Sequence, residues 1–112
     1  MVLTATLIVP ILQMPAARAG GDETVFYLAL GDSLAAGFQP NGATNEGYVD
    51  DLWQSLSQQV PGLALENVGC SGETSRSLIS GKDSPCEYPA GSQLDQAVAF
   101  LEAHPGQIAF MT

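Results

Sequence analysis

A serine placed directly after an apolar run is the feature of this sequence with the clearest chemical potential. Residues 24–30 are apolar, β-branched and aromatic, and the run stops abruptly at Gly31, Asp32 and Ser33. Such a run is typical of a buried strand, and open α/β sheets hold their reactive groups at the carboxyl ends of their strands. Ser33 is therefore a candidate nucleophile, which requires a base to accept its proton and donors to stabilise an oxyanion.

Two other interpretations apply to the residues of this turn. A serine at the start of a turn also serves as a helix N-cap, and Ser33 can hold that role together with the nucleophilic one. Asp32 is a tempting acid for a catalytic triad. Because adjacent side chains at the end of a strand rarely point together, we interpret Asp32 as a residue that organises the loop through backbone hydrogen bonds.

The elements that must position Ser33 alternate between strands and helices. Apolar runs and helical periodicities predict, in order, a strand at 24–30, a helix at 48–60, a strand at 63–68, a short helix at 73–79, a helix at 92–104 and a strand at 107–112. Ser92 is expected to cap the helix that it precedes. This βαβαβ order predicts an α/β fold, in which a parallel sheet lies between layers of helices as a three-layer α/β/α sandwich.

The sequence divides into a leader and one domain. Residues 2–14 are largely apolar, and Ala17-Arg18-Ala19 forms a small-x-small pattern, so we expect a signal peptide over residues 1–19. No Lys or Arg precedes the apolar run, which leaves an uncleaved anchor and a buried helix as alternatives. The run is short and interrupted by Pro10 and Pro15, which disfavours a membrane span.

Residues 20–112 are expected to be the N-terminal part of a larger domain. Three strands are fewer than an α/β sheet usually has, and the last apolar run reaches Thr112. We therefore expect the chain to be truncated in its third strand.

Composition narrows the classes of partner. The 112 residues carry twelve acidic side chains against three Lys and Arg, for a formal net charge of −9. Without a basic patch the chain is not expected to bind nucleic acid, and anionic lipid surfaces do not attract it electrostatically. We interpret the acidity as a solvated surface.

Two cysteines, Cys70 and Cys86, predict one disulfide in a secreted protein. The loop between them has about fifteen residues, for which the chain-entropy model gives about 3 kcal/mol of stabilisation. The alternative is a pair of free, buried thiols. The only histidine, His104, has no metal-ligand spacing to either cysteine, so neither a metal nor another cofactor is expected.

Two stretches carry a resemblance to a known family. Residues 27–37, which include Gly31-Asp32-Ser33-Leu34, resemble the first signature block of the GDSL (SGNH) hydrolases, the secreted esterases and lipases of bacteria. Residues 67–74 resemble the second block, and residues 88–94 are similar to the actinobacterial-type members. The resemblance implies a flavodoxin-like α/β/α fold and cofactor-free hydrolysis of carboxylic esters through an acyl-serine intermediate. The partner that it implies is a small-molecule or lipid ester substrate.

The resemblance also implies roles for single residues. Ser33 matches the nucleophile, and its backbone N–H matches one oxyanion donor. Gly69 matches the second donor through its own N–H, although an ordinary turn glycine is the alternative. The family's Gly-x-Asn-Asp and Asp-x-x-His blocks are not found in these 112 residues. His104 does not fit the last block, because Leu101 stands three residues before it, and we interpret it as a helix C-terminal residue.

These observations lead to three hypotheses about function. The first is a serine esterase or lipase, present here as a truncated copy without its base and with negligible activity by itself. The second is a non-catalytic binding domain or remnant on the same scaffold. The third is the same enzyme class with another substrate, such as a polysaccharide acetyl ester or a phospholipid. Acyl-chain length and oligomeric state are not predicted.

Overall fold

The computed structural model describes residues 23–112, so the signal peptide expected at residues 1–19 lies outside the described residues. The described elements, in chain order, are β1 (Val25–Ala29), α1 (Tyr48–Ser57), β2 (Leu63–Asn67), α2 (Ser75–Ser80), α3 (Gln93–Ala103) and β3 (Ile108–Met111). Every predicted helix and strand is present with the predicted type. Their bounds differ from the predicted ones by no more than about three residues, as is usual for element termini.

The three strands form a parallel sheet with β1 in the centre, in the order β2-β1-β3. The register pairs Val25 with Leu63 on one side of β1 and Phe26 with Ile108 on the other. Because the chain crosses from one side of β1 to the other between β2 and β3, the carboxyl end of β1 lies at a switch point. Ligands of open α/β sheets bind at such points.

Side chains of β1 alternate between two apolar clusters, one on each face of the sheet. Tyr27 and Ala29, both fully buried, pack with α1, whose contribution to this cluster is Val49, Leu52, Trp53 and Leu56. Leu28 points to the opposite face and packs with α3, whose contribution is Ala97, Phe100 and Leu101. Since helices cover both faces, β1 is buried on both sides, which explains its continuous apolar run. The structure thus confirms the predicted α/β fold class, with a parallel sheet and helices on both of its faces.

Each of the two later helices begins at a side-chain cap. Ser92 Oγ accepts a hydrogen bond from the N–H of Asp95 at 3.0 Å, which confirms the predicted cap of α3. Thr74 Oγ1 accepts from the N–H of Ser77 at 3.2 Å and begins α2 in the same way. These caps satisfy backbone donors that a helix leaves unpaired in its first turn. They therefore fix where α2 and α3 start relative to the turns before them.

Cys70 and Cys86 form a disulfide, with their Cα atoms 6.2 Å apart, which confirms the predicted pairing. The bond ties the turn after β2 to the loop between α2 and α3. Disulfides are typical of oxidising compartments outside the cytoplasm. Within residues 23–112, no helix combines the length and the apolar character needed to cross a membrane.

Candidate functional site

The turn that follows β1 is held by Asp32 and presents Ser33. Asp32 Oδ1 accepts the N–H of Leu34 at 2.9 Å, and the Asp32 carbonyl accepts the N–H of Ala36 at 3.0 Å. The expectation that Asp32 organises the loop is confirmed, and Asp32 rather than Ser33 is the residue that caps this turn. Ser33 is half-buried, and its Oγ and N–H form no hydrogen bond among the described residues. Within residues 23–112, both groups thus keep their hydrogen-bonding capacity.

The turn that follows β2 packs directly against the Ser33 turn. The N–H of Cys70 donates to the carbonyl of Gly31 at 3.0 Å. A Cβ atom added to Gly69 would lie 3.0 Å from both Ala35 Cβ and the Ala36 nitrogen. The absence of a side chain at position 69 thus permits this close approach between the two backbones. The structure therefore brings together the turns that contain Ser33 and Gly69, the two candidate site residues of the sequence analysis.

Asn67, which sequence analysis did not select, spans these two turns. Its Nδ2 donates to the carbonyl of Ala35 at 2.7 Å, and its Oδ1 accepts the N–H of Gly69 at 3.0 Å. The Gly69 donor therefore has a partner within the protein. The available signal was an amide side chain at the end of a strand, two residues before a glycine, which is a common arrangement for a side-chain-to-backbone turn.

A buried polar cluster lies behind the Ser33 turn. Gln93, at the start of α3, is fully buried, and its Oε1 accepts the N–H of Gly31 at 2.6 Å. Its Nε2 lies 3.0 Å from the Gly31 carbonyl, 3.2 Å from Glu73 Oε2 and 2.9 Å from the Tyr88 hydroxyl oxygen. Tyr88 in turn donates to the carbonyl of Val68 at 2.8 Å. Sequence analysis assigned no role to Gln93 or Glu73.

The electrostatics of this cluster are dominated by burial. Glu73 is 7% exposed, and its Oε2 accepts a hydrogen bond from Ser84 Oγ at 3.1 Å. Its Oε1 is buried and has no hydrogen-bond partner among residues 23–112. Burial raises the pKa of the Tyr88 hydroxyl; the Gln93 hydrogen bond lowers it in part, and the nearby Glu73 carboxylate raises it further. Tyr88 therefore remains a protonated donor at neutral pH.

A pocket of about 390 Å³ opens beside the Ser33 turn. Asp32 and Leu34, the sequence neighbours of Ser33, line this pocket, and Ser33 itself does not. Three large apolar side chains of the pocket are unusually exposed: Leu34 at 70%, Ile79 at 61% and Tyr48 at 47%. Apolar walls of this kind accommodate an apolar ligand group, and the carboxyl residues in the lining disfavour an anionic one.

His104 lies at the other end of the sheet. It follows the last residue of α3, its Nδ1 is 2.8 Å from the Phe100 carbonyl oxygen, and its ring centroid lies 4.6 Å from that of Phe26. Phe26 is near the start of β1, whereas Ser33 follows the end of β1. A strand rises by about 3.3 Å per residue, so the length of β1 separates His104 from the Ser33 turn. The interpretation of His104 as a helix C-terminal residue agrees with this position.

No set of three or more His, Cys, Asp or Glu side chains in the described range is arranged to hold a metal ion. In comparisons with known proteins, no family model, no curated protein and no solved structure matches this chain. The geometry of the Ser33 site is therefore the basis for assigning a function.

Proposed function

We propose that this protein is a serine ester hydrolase of the GDSL (SGNH) type, with Ser33 as its nucleophile. The observation that carries the proposal is the adjacency of two turns, those of Ser33 and Gly69, at the carboxyl edge of the sheet and beside the switch point. Acyl transfer needs a hydroxyl and backbone N–H donors directed at one point. The free Oγ and N–H of Ser33 and the close approach of Gly69 support that arrangement.

In the proposed reaction, Ser33 Oγ attacks the ester carbonyl carbon and its proton passes to a general base. The negative charge that forms on the carbonyl oxygen is stabilised by the N–H groups of Ser33 and Gly69. An oxyanion is a stronger acceptor than the neutral amide oxygen of Asn67, so the Gly69 N–H exchanges Asn67 Oδ1 for the charged oxygen. The base then gives the proton to the alkoxy oxygen, the C–O bond breaks and the alcohol leaves. Water attacks the acyl-serine while the base takes its proton, and return of that proton to Ser33 Oγ releases the carboxylic acid.

The base of this reaction is not His104, which is the single histidine of the sequence and lies at the opposite end of β1. Without an activating base a serine hydroxyl is a weak nucleophile. We therefore expect the 112-residue chain to hydrolyse p-nitrophenyl butyrate negligibly. Hydrolysis that is lost in Ser33→Ala would contradict this expectation about the base while supporting the role of Ser33.

The pocket favours an uncharged ester with an apolar group. Leu34, Leu78 and Ile79 form apolar walls, and Asp32 and Glu73 belong to the same lining. An anionic substrate meets two carboxyl residues in a chain whose formal net charge is −9. Electrostatic repulsion therefore selects against anionic esters.

The proposal is tested by selective labelling of Ser33. The full chain is treated with an uncharged alkyl fluorophosphonate, with imidazole supplied as an external base, and modified serines are identified by peptide mass spectrometry. We expect Ser33 to be modified faster than Ser75, which lines the same pocket, and Ser33→Ala to lose that label. A matched Ser75→Ala variant should keep it. Labelling spread evenly over the serines, or unchanged in urea with the disulfide reduced, would overturn the proposal.

A non-catalytic binding domain is the second candidate, because the Gly69 N–H already has an acceptor in Asn67. It predicts that p-nitrophenyl butyrate or another neutral ester perturbs the amide NMR signals of the pocket while the fluorophosphonate leaves Ser33 unmodified. The two candidates therefore give opposite results in the labelling experiment.

We also propose that the protein is secreted. The apolar leader ending at Ala17-Arg18-Ala19 and the Cys70–Cys86 disulfide support export to an oxidising compartment. Expression of the full sequence in a bacterial host with an export pathway is expected to release a chain that begins at Gly20. Recovery of the intact N-terminus in the cytoplasmic fraction alone would contradict this proposal.

A further inference from the structure

We propose that Gln93 is a positioning residue for Ser33, and this inference rests on the proposed function. Gln93 is 62 residues away from Gly31 in sequence, yet its side-chain amide contacts both polar groups of Gly31. Oε1 accepts the Gly31 N–H at 2.6 Å, and Nε2 lies 3.0 Å from the Gly31 carbonyl oxygen. Gly31 is two residues before the nucleophile, so its orientation determines where the Ser33 turn begins.

The side-chain amide of Gln93 takes the hydrogen-bonding place of a neighbouring strand where the sheet ends at Gly31. The N–H of Leu30 still donates to the carbonyl of Thr112, the residue after β3, at 2.9 Å. The N–H of the next residue, Gly31, bonds only to Gln93 within the described chain. Gly31 has a φ of +136°, a conformation that L side chains rarely adopt. The chain therefore leaves the sheet at Gly31, and one side-chain amide satisfies the donor that no strand reaches.

Glu73 fixes which way the Gln93 amide faces. Its Oε2 lies 3.2 Å from Nε2 of Gln93, and a reversed amide would place a carbonyl oxygen beside that carboxylate. Gln93 Nε2 has two hydrogens for three nearby acceptors, on Gly31, Glu73 and Tyr88. The buried carboxylate thus keeps the donor end of the amide inside the cluster and the acceptor end on the Gly31 N–H. Gln93 itself touches no reacting atom and acts through the backbone.

The complementarity of Glu73 and Gln93 provides a rescue test. Gln93→Glu retains an acceptor for the Gly31 N–H but places a second carboxyl group beside Glu73, and it loses both Nε2 hydrogens. Exchanging the pair, Gln93→Glu with Glu73→Gln, returns one carboxyl and one amide to the cluster. Because Glu and Gln have nearly the same shape, a role limited to filling space is unaffected by Gln93→Glu, whereas a hydrogen-bonding role is lost in Gln93→Glu and restored in part by the exchange.

The experiment measures the rate of fluorophosphonate labelling at Ser33 in the full chain, divided by the folded fraction from circular dichroism. We expect Gln93→Ala to label about tenfold more slowly than the wild type, because small displacements of a reacting group lower rates strongly. Gln96→Ala is the matched control, since Gln96 lies on the same helix and, among residues 23–112, its side chain makes a single hydrogen bond, accepting the N–H of Ala90 at 3.3 Å. It should label within about twofold of the wild type. The exchanged pair should label faster than Gln93→Glu.

Failure of this inference and failure of the proposed function give different results. Selective labelling of Ser33 in the wild type with an equal rate in folded Gln93→Ala overturns the role of Gln93 and leaves the hydrolase proposal standing. No selective labelling in the wild type overturns both. If Gln93→Ala does not fold, the exchanged pair, Gln93→Glu with Glu73→Gln, decides the question. The positioning role is overturned if this double variant labels as slowly as Gln93→Glu, or if it too is unfolded.

Discussion

Asn67 Oδ1 accepts the backbone N–H of Gly69 at 3.0 Å, so the amide proposed to stabilise an oxyanion is hydrogen-bonded within the protein. The same side chain donates from Nδ2 to the carbonyl of Ala35, in the turn that follows Ser33. One residue therefore connects the two turns on which the proposed chemistry depends. Its acceptor end sets the direction of the Gly69 N–H, and its donor end sets the spacing of the turns.

Replacing Asn67 by Asp separates these two functions. The variant keeps an acceptor for the Gly69 N–H but loses the donor to the Ala35 carbonyl, and a carboxylate then faces a carbonyl oxygen. We expect urea denaturation to give a free energy of unfolding lower by about 1–3 kcal/mol, the usual effect of an unpaired, partly buried polar group. Asn41→Asp is the matched control in an exposed loop, where the side chain accepts the N–H of Ala43 and makes no other hydrogen bond in the described part of the chain. It should cost less than about 0.5 kcal/mol. Equal effects of the two variants would rule out the connecting role of Asn67.

His104→Ala separates a structural histidine from a catalytic one. The ring packs against Phe100 with a centroid distance of 4.1 Å and against Phe26 at 4.6 Å, so its loss is expected to lower the free energy of unfolding by roughly 0.5–1.5 kcal/mol. The rate of Ser33 labelling, corrected for the folded fraction, should not change. A large drop in that rate with an unchanged unfolding curve would show that His104 takes part in the chemistry.

Removal of the disulfide is expected to destabilise the domain through the loop that it closes. Cys70 and Cys86 are 16 positions apart, and a loop of this length corresponds to about 3 kcal/mol in the chain-entropy model. Cys70→Ala with Cys86→Ala should therefore unfold at a lower urea concentration. Dithiothreitol should lower the stability of the wild type by a similar amount and have no effect on the double variant. A wild type whose free energy of unfolding is unchanged after both cysteines have been fully reduced would contradict this prediction.

The sequence allowed more of the fold than of the site to be predicted. Periodicity located all six elements because burial on one or both faces leaves a local pattern, as in the apolar run that became β1. Asp32 was interpreted correctly because its hydrogen bond to the Leu34 N–H is also local. The contact between Gln93 and Gly31 joins residues 62 positions apart and depends on how α3 packs on the sheet. No local pattern distinguishes such a glutamine from an ordinary polar residue in a first helical turn.

We expect the free energy of unfolding of the domain to fall at alkaline pH because of Tyr88. Burial is the largest cause that raises its pKa above the ordinary value of about 10, and burial raises the pKa of Tyr27 as well. A pKa that is higher in the folded state means that the unfolded chain loses its proton first. The stabilisation is therefore complete below about pH 10 and is lost as the pH rises through the folded-state pKa.

The Tyr88→Phe variant tests this assignment. It should be less stable at neutral pH, because the Val68 carbonyl loses its donor and Gln93 loses an acceptor. Its free energy of unfolding, measured by urea denaturation from pH 8 to 11, should fall less steeply with pH than that of the wild type, and Tyr27 contributes to the slope that remains. A Tyr88→Phe variant with the full wild-type slope would show that Tyr88 does not carry the alkaline dependence.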